Sequence, residues 1–254
     1  MSNTSPPRSA PPAKCPIDYE QRTLSESKVN PLNSIPLDVS ATSRAAGQIL
    51  HLPTEREIST IPRPKAREVE DTGPTWEYPS PQQFYNALVR KGWETPEESI
   101  EMVVQIHNFL NEMAWEEVMK WERRLPGGEF AQLARFQGRP GDLSPKARLH
   151  LWASQIFPSR FNSMPPFDRH DWIVTRPLPV NPSPQEASKP TISSTPTSPS
   201  TSTTRYVIDY YSAPPDPDGH PVFHLDVRPA LDNLESINLR IKVGVEEWMK
   251  GERA

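Results

Sequence analysis

The stretch that decides the fold is Thr95-Pro-Glu-Glu-Ser-Ile-Glu-Met-Val-Val-Gln-Ile-His-Asn-Phe-Leu-Asn-Glu-Met-Ala-Trp-Glu-Glu-Val-Met-Lys-Trp-Glu-Arg-Arg124. Thr95 followed by Pro96, with Glu98 three residues after the Thr, is typical of a helix start, because the Thr caps the first turn and Pro fits its first position. Pro126-Gly127-Gly128 then ends regular structure. The segment predicts one long helix from Thr95 to about Arg124.

One face of this helix is apolar and has a histidine, His107, at its centre. At 100° per residue, the residues within about 60° of His107 are Ile100, Val103, Val104, Leu110, Asn111, Ala114, Val118 and Trp121. The pattern predicts that His107 lies in the middle of a buried stripe. Asn111 and Glu112 are the polar neighbours that could hold its ring.

Two interpretations of His107 follow from these residues. A histidine on an apolar helix face is most often a hydrogen-bonded core residue. It can also be an axial ligand of haem iron, which needs a neutral imidazole in an apolar slot and a partner for the other ring nitrogen. The face carries Trp115 and Trp121 nearby, and it would suit a porphyrin or a second helix equally well.

Three further helices are predicted from start signals that contain proline. Ser80-Pro81 begins a helix over 82–91 that Gly92 ends, and Ser144-Pro145 begins a short helix that reaches Ile156. Pro229 begins a last helix that runs to about Met249. Its apolar residues form one stripe, which we expect to dock on the body of the protein: Leu231, Leu234, Ile241, Val245 and Trp248.

Three segments rich in β-branched and aromatic residues predict a small antiparallel sheet. They are 171–176, 205–212 and 222–227, and a Pro-Pro-Asp-Pro-Asp-Gly turn region separates the last two, as in a hairpin. The predicted fold class is therefore α+β, with helices packed on a small antiparallel sheet.

Two segments have too little apolar content to build a core. Residues 1–51 hold repeated X-Pro steps and scattered Ser and Thr, which predicts a disordered N-terminal tail. In 177–204, 20 of 28 residues are Pro, Ser or Thr, which predicts a flexible insertion within the folded domain. The folded domain is predicted over 52–254, and its first stretch, 52–63, should lie on the folded body.

Composition excludes several classes of function. The 28 Lys and Arg against 32 Asp and Glu give a net charge of -4, and no basic run is present, which argues against a nucleic-acid partner. The single cysteine, Cys15, rules out an internal disulfide and a cysteine-ligated zinc finger within this chain. No stretch approaches 18 consecutive apolar residues, so we expect no membrane span.

A second histidine lies in the polar run Asp168-Arg-His-Asp-Trp172. Two carboxylates around His170 would hold its imidazole as a donor to an anionic group, although a polar turn that leads into a strand explains the run as well. Arg176 follows closely and could pair with a carboxylate or a haem propionate in a bidentate manner. Cys15-Pro16 is a dipeptide of the kind that can bind haem through its thiolate.

Seven motifs, taken together and in order, resemble those of the mitochondrial cytochrome c haem lyases, also called holocytochrome c synthases. They are Cys15-Pro16, Glu55-Arg-Glu-Ile-Ser-Thr-Ile-Pro62, Trp76-Glu-Tyr-Pro-Ser-Pro-Gln-Gln-Phe-Tyr-Asn-Ala87, His107-Asn-Phe-Leu-Asn-Glu-Met-Ala-Trp115, Pro166-Phe-Asp-Arg-His-Asp-Trp172, Arg205-Tyr-Val-Ile-Asp-Tyr-Tyr211 and Asp226-Val-Arg-Pro-Ala-Leu-Asp232. The resemblance covers about 52–248 apart from the insertion. The insertion and the stretch Arg160-Phe-Asn-Ser-Met164 depart from the family pattern.

The resemblance implies an enzyme that joins the vinyl groups of ferrous protohaem to the two thiols of a CxxCH motif in apocytochrome c. It implies His107 as the ligand of the haem iron, Glu112 as a neighbouring catalytic acid, and His170 and Arg176 as residues that retain haem or support its site. Asn111, Trp115 and Cys15 complete the expected haem contacts. The family resides in the mitochondrial intermembrane space, attached peripherally to the inner membrane.

Three alternatives remain at this point. The client could be apocytochrome c1, and the sequence does not separate it from apocytochrome c. A non-catalytic haem carrier would need the same His107 pocket without a groove for a client peptide. A plain interaction protein would bury His107 without any ligand.

Overall fold

The structure is a computed structural model that describes residues 30, 39–64, 73–139, 141–160, 164–178 and 200–251. The helices and strands in chain order are β1 (Ile58–Pro62), β2 (Thr75–Glu77), α1 (Pro81–Arg90), α2 (Ile100–Glu122), β3 (Gln132–Gly138), α3 (Pro145–Ile156), β4 (Asp168–Pro177), β5 (Thr201–Ala213), β6 (Val222–Pro229) and α4 (Leu234–Lys250). Four strands form one antiparallel sheet in the order β3-β4-β5-β6, and β1 pairs with β2 separately. The predicted α+β class is confirmed.

The core lies between α2 and the four-stranded sheet. Ala114, Trp115 and Val118 of α2 pack with buried residues of the strands, among them Trp172 and Ile208. The indole of Trp121 also donates to the carbonyl of Val227 at 2.9 Å, which ties the end of α2 to β6. The apolar stripe on α2 therefore faces the protein interior, as its spacing predicts.

A smaller apolar cluster joins α1 to the first half of α2. It contains Leu52, Leu88, Ile100 and Val104. The Ser80 hydroxyl accepts from the backbone N–H of Gln83 at 3.2 Å, which is the helix cap that Ser80-Pro81 predicts. These contacts place α1 beside the half of α2 that carries His107.

The predicted start of the long helix is wrong by one turn. Residues 97–99 form a short 3₁₀ helix, and the α-helix begins only at Ile100. The Glu97 carboxylate accepts from the backbone N–H groups of Ile49 and Leu50. Glu97 thus binds the segment before α1, and the start of the 3₁₀ turn is held by the backbone bond from the N–H of Ser99 to the carbonyl of Pro96, without a side-chain cap.

The last helix also differs from its prediction. Asn233 caps α4 by accepting from the N–H of Ser236 at 2.7 Å, whereas Pro229 ends β6. The buried residues of α4 are Ser236, Leu239 and Val243. The larger apolar stripe that was expected to dock is exposed: Leu231, Leu234, Ile241, Val245 and Trp248.

The edges of the two low-complexity segments hold more structure than their composition predicts. Pro177 in β4 pairs with Thr201 in β5, so residues 177 and 201–204 belong to the sheet; 179–199 lie outside the described residues. Within the predicted tail, Gln48 is buried and exchanges hydrogen bonds with Gln82. Contacts with the folded body therefore begin before Leu52.

None of the helices among the described residues combines the length and the apolar content needed to cross a bilayer.

Candidate haem site

A cavity of about 320 Å³ lies between α2 and the edge of the sheet where β4, β5 and β6 meet. Its wall is mainly apolar and aromatic, with a few polar groups in it. The lining residues are Phe84, Val103, Ile106, His107, Leu110, Asn111, Phe167, Asp168, His170, Tyr210 and Phe223. An apolar pocket with a few convergent polar groups is the usual form of a site for a cofactor-sized ligand.

His107 reaches this cavity from the first half of α2. The ring of Phe84 packs edge-on against the imidazole with 5.4 Å between centroids, and Tyr78 does so at 6.1 Å. Burial lowers the pKa of His107, and the nearby His170 lowers it further, against the opposing effects of Asn108 and Asp168. The imidazole is therefore held in its neutral form, which is the form that binds iron.

Asn108 and Glu57 orient the ring. The Nδ1 atom of His107 lies 3.3 Å from Oδ1 of Asn108, and Nδ2 of Asn108 donates to the Glu57 carboxylate at 2.7 Å. Because the amide oxygen can only accept, the hydrogen bond assigns the proton to Nδ1. The lone pair of His107 is then on Nε2.

Asn111 lies next to that lone pair. Its Nδ2 atom donates to the main-chain carbonyl of His107 at 2.7 Å and lies 3.3 Å from Nε2 of the same residue. If a metal displaced the longer contact, the amide would keep its shorter bond. Asn111 thus lines the cavity, while the partner of Nδ1 is Asn108.

Glu112 lies outside the cavity wall. Its carboxylate accepts from the hydroxyls of Ser59, Thr60 and Tyr78, of which Ser59 is at 2.6 Å and Tyr78 at 2.8 Å. Burial alone would raise the pKa of this carboxyl, but these hydrogen bonds outweigh it and hold the pKa below its usual value. Glu112 therefore stays ionised and fastens β1 and Tyr78 to α2.

His170 faces the same cavity from β4. Its Nε2 lies 3.1 Å from the Asp168 carboxylate, and its Nδ1 lies 3.4 Å from the hydroxyl of Tyr210. Burial would raise the pKa of Asp168, but the bond to His170 and the N–H of Arg169 hold it below its usual value. The site thus presents two imidazoles, one on the helix and one on the sheet.

Arg176 and Trp115 occupy other parts of the molecule, contrary to expectation. The guanidinium of Arg176 is buried between Glu122, at 3.2 Å, and Glu235, at 2.5 Å. It also donates to the hydroxyl of Thr204. Trp115 is part of the core beneath the sheet. Both side chains are expected haem contacts, and neither lines the cavity.

The sequence reasoning missed several residues of the site. Asn108 and Glu57 hold the ring, and Phe84, Tyr210, Phe167 and Phe223 shape the cavity. Glu57 lies in the motif at 55–62, which marks this stretch as part of the family pattern. Its contact with Asn108 could not be predicted, because the two residues are 51 positions apart in the sequence. Cys15 lies outside the described residues and remains a prediction.

Comparison with known proteins identifies the family. The family model described as "Cytochrome c/c1 heme lyase" matches residues 1–243. The chain is 40% identical to holocytochrome-c synthase of Saccharomyces cerevisiae, over 98% of this chain and 85% of the yeast protein. It is 35% identical to the human holocytochrome c-type synthase, over 92% of this chain and 75% of that protein.

A relative from Schizosaccharomyces pombe that is named as a holocytochrome-c1 synthase is 37% identical over 71% of this chain and 69% of its own length. No solved structure matches the chain. The family match over nearly the whole chain agrees with the apolar cavity and its fixed, neutral histidine. The chain belongs to the cytochrome c/c1 haem lyase family and is an enzyme that acts on haem.

Proposed function

We propose that the cavity binds haem with Nε2 of His107 as an axial ligand of the iron. One observation carries this: the imidazole lines an apolar cavity, its burial lowers its pKa, and its Nδ1 lies against the amide oxygen of Asn108. Hydrogen bonding at the remote nitrogen fixes the ring and strengthens the ligand. The aromatic side chains of Phe84 and Phe223 supply surface for the porphyrin.

The reaction needs little acid or base assistance. A client thiol adds across a haem vinyl group: sulfur bonds to the carbon next to the ring, and the thiol proton ends on the terminal carbon. No electrons leave or enter, so positioning is the main task. We propose that His107 holds one face of ferrous protohaem while the histidine of the client's CxxCH motif binds the other face.

Within this proposal His170 and Glu112 have supporting roles. His170, whose ring nitrogens lie against Asp168 and the Tyr210 hydroxyl, lines the cavity from β4 and supports its shape. Glu112 is a positioning residue, because it fastens Tyr78, whose ring contacts His107. Neither role requires the residue to transfer a proton.

We propose apocytochrome c as the client. Two relatives named for cytochrome c, from S. cerevisiae and human, match 98% and 92% of this chain, whereas a c1-named relative from S. pombe matches 71%. We further propose that the protein acts in the mitochondrial intermembrane space, peripherally on the inner membrane, as the resemblance implies. Protease protection in intact and swollen mitochondria would test that location.

Co-expression with an apocytochrome tests the function. The haem should stay with apocytochrome c after extraction with acidified organic solvent, because a thioether resists this treatment. A client with both CxxCH cysteines replaced by Ser is the matched control and should lose its haem. Haem that is extracted from the unmodified client would indicate a carrier. More product with apocytochrome c1 than with apocytochrome c would overturn the client assignment.

A further inference from the structure

The helix α3 carries an exposed apolar ridge, which we define as Leu149, Trp152, Ile156 and the following Phe157. Their exposed fractions are 59%, 60%, 50% and 56%. The helix docks on the protein through Ala147 and Ser154, which lie on the opposite face. A solvent-facing helix side normally carries polar residues, so four large apolar side chains there indicate a binding surface.

The segment that carries this ridge contains basic residues and no acidic ones. From Pro145 to Arg160 the chain contains Lys146, Arg148 and Arg160 and no Asp or Glu, although the whole protein has a net charge of -4. Lys146 pairs with Asp226 at 2.8 Å, and Arg148 and Arg160 are exposed. Acidic residues are thus excluded from one segment of an acidic protein.

We propose that the α3 ridge is the surface that lies on a bilayer containing anionic lipid. A helix with Trp and Leu on one face and basic residues beside them lies in the plane of the headgroups, with its apolar side inserted. Each Lys or Arg near such a surface strengthens binding about fivefold. This inference rests on the peripheral membrane location proposed above and assigns the residues that make the contact.

The helix α4 also has an exposed apolar stripe, but its charge makes it a poorer candidate than α3 for the membrane contact. It is as apolar, with Trp248 79% exposed, but α4 contains Glu235, Glu246 and Glu247 as well as three basic residues. Its net charge is zero, so it gains nothing from an anionic surface. An exposed tryptophan on each helix supplies a matched pair of variants.

Flotation of the full chain with lipid vesicles tests the proposal. One set contains phosphatidylcholine and phosphatidylglycerol in a four-to-one ratio, and the other contains phosphatidylcholine alone. We expect binding to the anionic vesicles, weakened by salt. Trp152→Glu should lower the partition coefficient at least about tenfold, and Arg148→Gln with Arg160→Gln about fivefold for each charge. Trp248→Glu should bind like the unmodified protein.

Each contrary result has a distinct meaning. If the unmodified chain binds neither set of vesicles, both the peripheral location and the α3 assignment are wrong. If it binds but Trp152→Glu binds equally well, or Trp248→Glu loses as much, the contact lies elsewhere and the α3 assignment alone fails. Circular dichroism and thioether synthesis on a soluble client should be unchanged in Trp152→Glu, which separates membrane binding from folding and catalysis.

Discussion

Two hydrogen bonds hold the ring of His107. Its Nδ1 bonds to the amide oxygen of Asn108, and the amide nitrogen of Asn108 donates to the carboxylate of Glu57. Asn108→Leu keeps the size of the side chain and removes the acceptor. It should weaken haem binding about tenfold, because loss of such an outer partner typically costs 10–100-fold. Titration with haem, followed by the Soret band, measures this.

Glu57→Gln is the control for that variant. The glutamine carbonyl can still accept from Asn108, so the imidazole should keep its orientation and most of its affinity. If Asn108→Leu binds haem as tightly as the unmodified protein, Asn108 does not orient the imidazole of His107 for iron binding.

The lowered pKa of His107 predicts how stability depends on pH. The unfolded chain has an ordinary histidine pKa of about 6.5, and burial places the folded value below that. The unfolded state therefore binds more protons as pH falls below about 6.5, and the apoprotein loses stability there. Above that pH, His107 does not change the free energy of unfolding as pH varies.

Urea unfolding of the apoprotein at about pH 7.5 and about pH 5.5 measures this effect. His107→Leu should reduce the loss of stability between the two values, because the buried imidazole is gone. His51→Leu, at an exposed position before β1, is the control and should leave that loss of stability unchanged. An identical loss in His107→Leu and in the unmodified protein would contradict the assignment.

At the scale of elements, β4 and β5 form a hairpin whose ends meet where the Pro/Ser/Thr-rich segment begins. Pro177 pairs with Thr201, and the N–H of Leu178 donates to Ser200 at 2.8 Å. Replacing residues 179–199 with a short Gly/Ser turn should therefore keep thioether synthesis within a few-fold, because the strand ends are already adjacent. Loss of solubility or activity would show that the segment packs or binds.

The buried ion pair between Glu122 and Arg176 joins α2 to β4 far from the haem cavity. Glu122 follows His107 by fifteen residues, about 22 Å along the helix. Arg176→Ala should cost about 3–5 kcal/mol of stability, because it leaves a buried carboxylate without its partner. The Soret band of the fraction that folds should be unchanged.

Glu122→Leu combined with Arg176→Met is the companion variant. Replacing both charges should recover much of the lost stability, since apolar groups of similar size are tolerated where a buried pair is removed as a unit. Normal stability with loss of haem in Arg176→Ala would instead restore Arg176 as a haem contact.

Across the whole molecule, short sequence motifs predict where helices and strands lie, but they do not predict contacts between residues that are distant in the sequence. Ser80-Pro81 and Ser144-Pro145 fixed two helix starts, because the capping bond lies within four residues. The sequence does not predict which face of α4 is buried, because two rows of apolar residues run along the helix. Packing against β6 buries the row that contains Leu239 and Val243. The short strands β1, β2 and β3 lacked a distinctive period.

The same distinction holds for the candidate site. His107 was recognisable because it centres the apolar stripe of α2, and it lines the cavity. The sequence predicts Arg176 as a haem contact and not as part of a buried ion pair, because its partners, Glu122 and Glu235, lie in distant parts of the chain. Helical spacing predicts Asn111, one turn after His107, as the partner of the ring, because it does not show that the adjacent Asn108 reaches Nδ1.

The absorption spectrum and client maturation of His107→Ala, measured together, test the central claim most directly. The variant should fold and lose bound haem and thioether synthesis together, whereas His170→Ala should retain part of its haem, because His170 supports the cavity wall and the iron–nitrogen bond of His107 is intact. Added imidazole should partly restore the Soret band by filling the vacant axial position. A His107→Ala protein with a full complement of haem, unchanged absorption bands and normal maturation of its client would contradict the account.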